Sequence, residues 1–267
     1  MLQVYPHIHM AIVLDLDLDF FVWPTVRGPV EGRPPDEEHT CATPDQVRSF
    51  LEDQCNLSRD RRVPGCFCRK HDEAFDVWKR WGAEKTLELP FEVAHVDAHS
   101  DLSFGDASWS YVLETVLSLP PGERSNPERG YNRLNEGSYL TFAIANRWIS
   151  RLIFVAPVSR WAKFSRKPPG TVRGLPSDLN VFLFKNSSLR SGAIQLRQIN
   201  RDLCVKLMSG EPFTPLSIER EVPFSSVPAP EFSVSGITKI VLAHSEEYCP
   251  PKSDVLIDVV REYLFDS

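Results

Sequence analysis

No apolar run in the chain approaches the roughly 20 residues that a helix needs to cross a bilayer. The apolar stretch near the N-terminus, residues 10–14, is cut short by Asp15, Asp17 and Asp19, so neither a signal peptide nor a membrane span is expected. Positive charge is in deficit: 30 Lys and Arg face 36 Asp and Glu, a net charge of -6. Nucleic acid is therefore not an expected partner, because phosphate binding needs a concentrated basic surface. An acidic protein suits a cationic substrate better. Cysteine is sparse as well. Cys41, Cys55, Cys66, Cys68, Cys204 and Cys249 are too few in 267 residues for a secreted disulfide scaffold, and reduced thiols in a cytoplasm are expected. Cys66-Phe67-Cys68, even taken with Cys55 and His71, fits no common zinc spacing. Internal repeats and low-complexity tails are also absent. With 42% apolar residues the chain can fill a complete core, and one α/β domain spanning 1–267 is the expectation.

Near-continuous apolar runs at 10–18, 91–96, 153–155, 181–184 and 237–243 read as buried parallel strands. Helices are expected between them: one opened by Thr43 as N-cap before Pro44, then 72–81, 110–117, 138–148 and 253–264. Strands alternating with helices predict a mainly parallel sheet covered on both faces, with ligands gathering beyond the carboxyl ends of the strands. The Pro-, Gly- and charge-rich stretches 27–40 and 120–130 read as surface loops that could border such a site.

Two of the expected strands end in acidic motifs. The first run closes on Asp15-Leu16-Asp17-Leu18-Asp19. Three carboxylates on one strand face repel each other unless a cation sits among them. The second closes on His95-Val96-Asp97-Ala98-His99-Ser100-Asp101, which puts Asp97, His99 and Asp101 on one side if the strand persists. Mixed carboxylate and imidazole donors suit manganese, zinc or iron. The plain alternatives are a polar turn for the first motif and a solvated loop with a capping Asp for the second.

Asp97-Ala98-His99-Ser100-Asp101 matches the D-A-H-x-D signature of the ureohydrolases, the arginase and agmatinase superfamily, and Asp17-Leu18-Asp19 resembles their second metal motif, D-x-D. In arginases that second motif comes late in the chain, whereas here it is N-terminal, so the resemblance is to a rearranged relative. The chain is similar to the peptide arginases of ribosomal-peptide biosynthesis, which convert arginine side chains of a precursor peptide to ornithine. The resemblance implies a three-layer α/β/α arginase-like domain with rearranged motif order. It also implies two divalent ions, with Mn2+ preferred for a carboxylate-rich, thiolate-free donor set. By position, Asp97 and Asp17 would bridge the ions, His71 and Asp101 would complete one, and His99 and Asp19 the other. His71 stands for the family's helix-start His, without its preceding glycines, and an ordinary exposed His is the alternative. Asp15 could replace Asp17 as a ligand; otherwise Asp15 and His95, one pleat deeper, would orient the ligands.

Ser245-Glu246-Glu247-Tyr248-Cys249-Pro250 looks similar to the arginase E-x-x-P element, with Glu247 as the carboxylate that pairs with the guanidinium. A simple turn before a helix is the alternative, and His244 and Glu246 carry no role. Asn135-Glu136-Gly137-Ser138-Tyr139 opens a helix and could offer the substrate backbone N–H groups or a side-chain acceptor, although capping alone explains it. The resemblance thus implies hydrolysis of an arginine guanidinium to ornithine and urea, with an arginine-containing precursor peptide as partner and Asp101 passing the proton to the leaving amine. The rival readings are a free guanidino compound as substrate, a deacetylase-type metal hydrolase, and a binding module without activity.

Overall fold

Strand β1 (Ile12–Asp17) is buried at every position after Ile12 and does not alternate, because the sheet is covered on both faces. The computed structural model describes residues 10–102, 107–157 and 191–267. Further strands are β2 (Val22–Trp23), β3 (Thr40–Cys41), β4 (Val63–Cys68), β5 (Phe91–Val96), β6 (Ile149–Ala156), β7 (Ser191–Ile194), β8 (Arg197–Gln198), β9 (Ser217–Ile218), β10 (Val222–Pro228), β11 (Ile237–Ala243) and β12 (Leu264–Asp266). The helices are α1 (Pro44–Ser49), α2 (Glu73–Ala83), α3 (Ser108–Glu114), α4 (Tyr139–Ala145), α5 (Arg201–Ser209) and α6 (Val255–Arg261). Among the described residues the large sheet has eight strands in the order β12-β4-β11-β1-β5-β6-β10-β7. All neighbours are parallel except the edge strand β7, which is antiparallel to β10.

Two hydrophobic clusters lie against the sheet. Val13, Val93 and Val241 join Phe75, Trp78 and Trp81 of α2, Val112 of α3 and Phe142 of α4 in one. Leu14, Leu16, Ala94, Val96, Ile240 and Leu242 join Val47 of α1 and Leu256 and Val260 of α6 in the other. Because residues alternate across a strand, Asp15 and Asp17 share the first face with Val13, and His95 shares it with Val93. The fold is α/β with a large, mainly parallel sheet flanked by helices. No helix among the described residues is long and apolar enough to cross a membrane.

Several local expectations change. The helix expected over 253–264 stops at Arg261, and Leu264 instead begins β12, which pairs with β4 at the sheet edge. The segments 110–117 and 138–148 are helical over Ser108–Glu114 and Tyr139–Ala145. The Thr43 cap is a full capping box: its hydroxyl accepts from Gln46 N, and the Gln46 side chain accepts from Thr43 N. Strand β4 carries Pro64, Gly65 and two cysteines and so lacks a strand-like composition. Its close pairing with β11 leaves no room at Gly65, where a Cβ would lie 2.9 Å from the Ile240 carbonyl. The strand expected at 181–184 lies outside the described residues.

Candidate metal centre

The four strands β4, β11, β1 and β5 are adjacent at the centre of the sheet, and their carboxyl ends deliver every donor. Neither acidic motif stays in its strand. β1 ends at Asp17, which caps a short 3-10 turn (Leu18–Phe21) by accepting Asp19 N–H at 3.2 Å, so Asp19 reaches the site from a turn. β5 ends at Val96, and Asp97 to Asp101 form a loop in which Asp101 is left-handed, with φ of 50°. Strand alternation therefore does not gather Asp97, His99 and Asp101; the reversal of this loop does. His71 comes from the turn between β4 and α2.

The side chains of Asp17, Asp19, His71, Asp97, His99 and Asp101 converge, and all six residues are at most 9% exposed. His71 Nδ1 lies 2.9 Å from Asp97 Oδ2, 3.1 Å from Asp101 Oδ2 and 3.2 Å from Asp17 Oδ2. His99 Nδ1 lies 2.8 Å from Asp19 Oδ2 and 3.5 Å from Asp97 Oδ1. The two oxygens of Asp97 thus face two different groups of donors. Asp17 is placed beside His71, with its Oδ2 also accepting the Ser245 hydroxyl.

Asp97 and Asp19 are each held through Oδ1 and present Oδ2. Asp97 Oδ1 accepts His99 N–H at 2.6 Å, and Asp19 Oδ1 accepts Ala98 N–H at 3.2 Å. The imidazoles behave alike. His99 Nε2 faces the Val26 carbonyl at 2.9 Å, and His71 Nε2 faces Asp15 Oδ1 at 3.2 Å, so both rings turn Nδ1 to the carboxylates. Asp15, fully buried, also takes His95 Nδ1 at 2.9 Å and the Tyr139 hydroxyl on its Oδ2. Tyr139 gave no signal in the sequence beyond opening a helix, yet its hydroxyl lies 3.0 Å from His71 Nε2 as well.

His95 belongs by distance to a possible donor set with His71, Asp97 and Asp101. Its two ring nitrogens, however, face Asp15 Oδ2 and, at 3.2 Å, the His99 carbonyl. Burial opposes its charge, but the hydrogen bond to Asp15 and the charge of Asp97 outweigh that and raise its pKa. Both ring nitrogens of His95 are thus engaged, one by Asp15 and the other by the His99 carbonyl, so its ring serves to hold Asp15 and the loop.

The donor set fits divalent metal. His71 Nδ1 and Asp19 Oδ2 are buried and form no hydrogen bond, although carboxylate or imidazole atoms crowd both. Separations of 2.8 to 3.5 Å match the edges between ligands that each sit about 2.0–2.2 Å from one ion. Without a cation, protons must compensate. Burial, then the charges of Asp97 and Asp17, push the Asp19 carboxyl up to about 8; burial and then Asp97 push Asp101 up to about 7. The His99 pKa is raised despite burial, chiefly by Asp19. Apart from Asp15, four buried carboxylates converge here, and a bound cation would supply the positive charge that these protons otherwise provide.

Above the donors opens a cavity of about 480 Å³ whose lining includes His71, Asp101, Lys70, Glu136, Glu247 and Tyr248. Glu247, on the 3-10 turn after β11, is 39% exposed at its side chain and pairs with Lys70. His244 is turned away to Asp254, at 2.9 Å, and to Arg33. No protein-family model and no curated protein matches the chain.

Proposed function

We propose that the chain is a binuclear metallohydrolase of arginase-like fold that cleaves the guanidinium group of arginine, with an arginine-containing precursor peptide as substrate. The observation that carries this reading is the pair of buried, unpartnered donors, His71 Nδ1 and Asp19 Oδ2, each set among carboxylate or imidazole atoms and linked through the two oxygens of Asp97. His71, Asp17, Asp97 and Asp101 would hold one ion; His99, Asp19 and Asp97 would hold the other, with Asp17 as a second bridge. When bound, the pair of ions supplies positive charge to the reacting centre and makes water acidic enough to serve as nucleophile near neutral pH.

Glu247 presents a carboxylate to the planar cation, and its two oxygens match two parallel N–H donors. Water adds at the guanidinium carbon, the bond from that carbon to the side-chain nitrogen breaks, and urea and the protonated amine of ornithine are released. Asp101 carries the proton from the attacking water to the leaving nitrogen. The peptide substrate is supported by the family resemblance; the cavity chemistry supports the guanidinium. A deacetylase on the same scaffold needs one zinc, and this donor set exceeds one tetrahedral site.

Purified without chelators and then loaded with manganese, the protein is expected to bind two ions per chain. It should also release urea from an arginine peptide, with the corresponding mass loss in the peptide. Activity on free arginine or agmatine alone would move the substrate to a small guanidino compound. Metal content near zero after loading would leave a binding module and remove the hydrolase.

A further inference from the structure

Lys70 precedes His71 and reaches across the cavity mouth. Its ammonium lies 3.0 Å from Glu136 Oε1 and 3.2 and 3.3 Å from the two oxygens of Glu247. Glu136 comes from the turn before α4 and Glu247 from the turn after β11, so two carboxylates from separate parts of the fold meet on one cation. The Glu136 side chain is only 19% exposed, whereas that of Lys70 is 53% exposed and borders open solvent. All three line the cavity that holds the unpartnered, buried His71 Nδ1 and Asp19 Oδ2.

Two carboxylates gathered at the entrance of a pocket need a positive partner, and burial raises the Glu136 carboxyl pKa against the opposing pull of Lys70. Lysine is a flexible, strongly hydrated point charge, and a half-exposed pair with it is worth little. A guanidinium has five donors in a rigid plane, enough to satisfy one carboxylate through two bonds and a second through a third. An arriving guanidinium is therefore the better occupant, and Lys70 has a solvent-facing path by which to leave.

We propose that Glu136 and Glu247 together form the cation clasp of the substrate pocket and that Lys70 is a tethered competitor, filling the clasp until the substrate's guanidinium displaces it. This rests on reading the cavity as a guanidinium site. It assigns to Glu136 the selection of a cationic side chain and to Lys70 a threshold on affinity, so that only a cation better than an ammonium is retained.

The test uses the manganese-loaded full chain and the variants Lys70→Met, Glu136→Gln and their combination. Calorimetric titration with N-acetyl-ornithine amide and N-acetyl-arginine amide gives dissociation constants, and urea release gives KM and kcat. Lys70→Met should tighten binding of both cations by about three- to ten-fold, the scale of one or two partly exposed ion pairs. Glu136→Gln should weaken the arginine ligand by about ten-fold and raise KM for urea release in step. The double variant should bind more weakly than Lys70→Met alone. Unchanged or weaker binding in a Lys70→Met protein that melts normally and keeps its metal overturns the competitor. Unchanged binding in Glu136→Gln overturns the clasp, as does failure of the parent protein to bind either cation. The two readings separate cleanly: cation binding that shifts as described without any urea sinks the hydrolysis and keeps the clasp. Urea release with unshifted constants does the reverse.

Discussion

At the residue scale, Asp15 is the hinge of the donor arrangement although it faces no metal position. One carboxylate takes His71 Nε2, His95 Nδ1 and the Tyr139 hydroxyl, so it fixes the rotation of both rings and helps to raise the His95 pKa. Asp15→Asn keeps the shape but loses the charge, and metal affinity should fall about 10- to 100-fold, read by competition with a chromogenic chelator. Tyr139→Phe removes one of the three bonds and should fall at the lower end, near about ten-fold. Full affinity in Asp15→Asn would remove the positioning role. Asp101 carries a second prediction at this scale. Asp101→Asn should lower kcat for urea release by about 10²-fold or more while the second ion, on His99 and Asp19, stays bound, as elemental analysis would report; wild-type turnover in a fully loaded variant would refute its part in proton transfer.

At the scale of elements, the loop after β2 forms a wall of the site because it is pinned from the far side. Arg33 donates to the Cys249 and Pro250 carbonyls and to Asp254, while Val26 of the same loop accepts from His99 and Val30 N–H donates to the Glu247 carbonyl. Loss of that pin should free the loop without touching the sheet. Arg33→Ala is expected to speed amide exchange over residues 26–39 by about ten-fold and, on the proposed function, to weaken binding of an ion by His99, with little change in global unfolding. Exchange rates equal to the parent's would show that the loop is held elsewhere.

A second staple joins α4 to the segment after α3. Arg124, 4% exposed, donates to the carbonyls of Leu117, Leu119 and Ala145 and pairs at 2.9 Å with Glu219, itself 7% exposed. Glu219→Gln leaves a buried guanidinium without its counter-charge and should cost about 3–5 kcal/mol in urea denaturation. Burial opposes the Glu219 charge, but hydrogen bonds from Arg147 and Arg124 win and hold its pKa below the ordinary 4.5. The stability from this pair is therefore present above pH 4.5 and is lost as pH falls through the lower folded value.

On the scale of the whole molecule, the carboxylate cluster couples folding to protonation and, on the proposed function, to metal binding. With no cation present, burial and the neighbouring carboxylates push the Asp19 and Asp101 carboxyls up to about 8 and about 7, against 3.8 for a free carboxyl. A folded pKa above the unfolded one means that the folded state holds extra protons, so these two groups lower stability as pH rises from about 4 to about 8. His99, whose raised pKa depends on Asp19, changes stability in the same direction above 6.5. A bound cation would take the place of those protons. Chelation should thus lower the melting temperature, and the gap between loaded and chelated protein should widen from pH 6 to pH 8; at free metal a hundred times Kd the stabilisation is about 2.7 kcal/mol per ion. A gap that narrows with pH would mean that the cluster does not exchange protons for metal.

What could be read along the chain was short-range. Apolar runs ending in Asp15 to Asp19 and His95 to Asp101 are local patterns, and they located β1 and β5, the mainly parallel sheet and most of the buried carboxylates and imidazoles that converge, because burial on both faces leaves its mark in composition. The turns that carry Asp19 and Asp101 out of their strands were not legible, since a strand's period says nothing of where the strand stops. Neither was β4, whose Pro64, Gly65 and cysteines hide the element that delivers His71. Tertiary structure alone decided that β4, β11, β1 and β5 lie side by side, and with that the meeting of His71 with Asp15 and Tyr139 and of Lys70 with Glu136 and Glu247. Such contacts depend on strand order and crossover connections, which couple residues far apart in the chain and leave no trace in any local period.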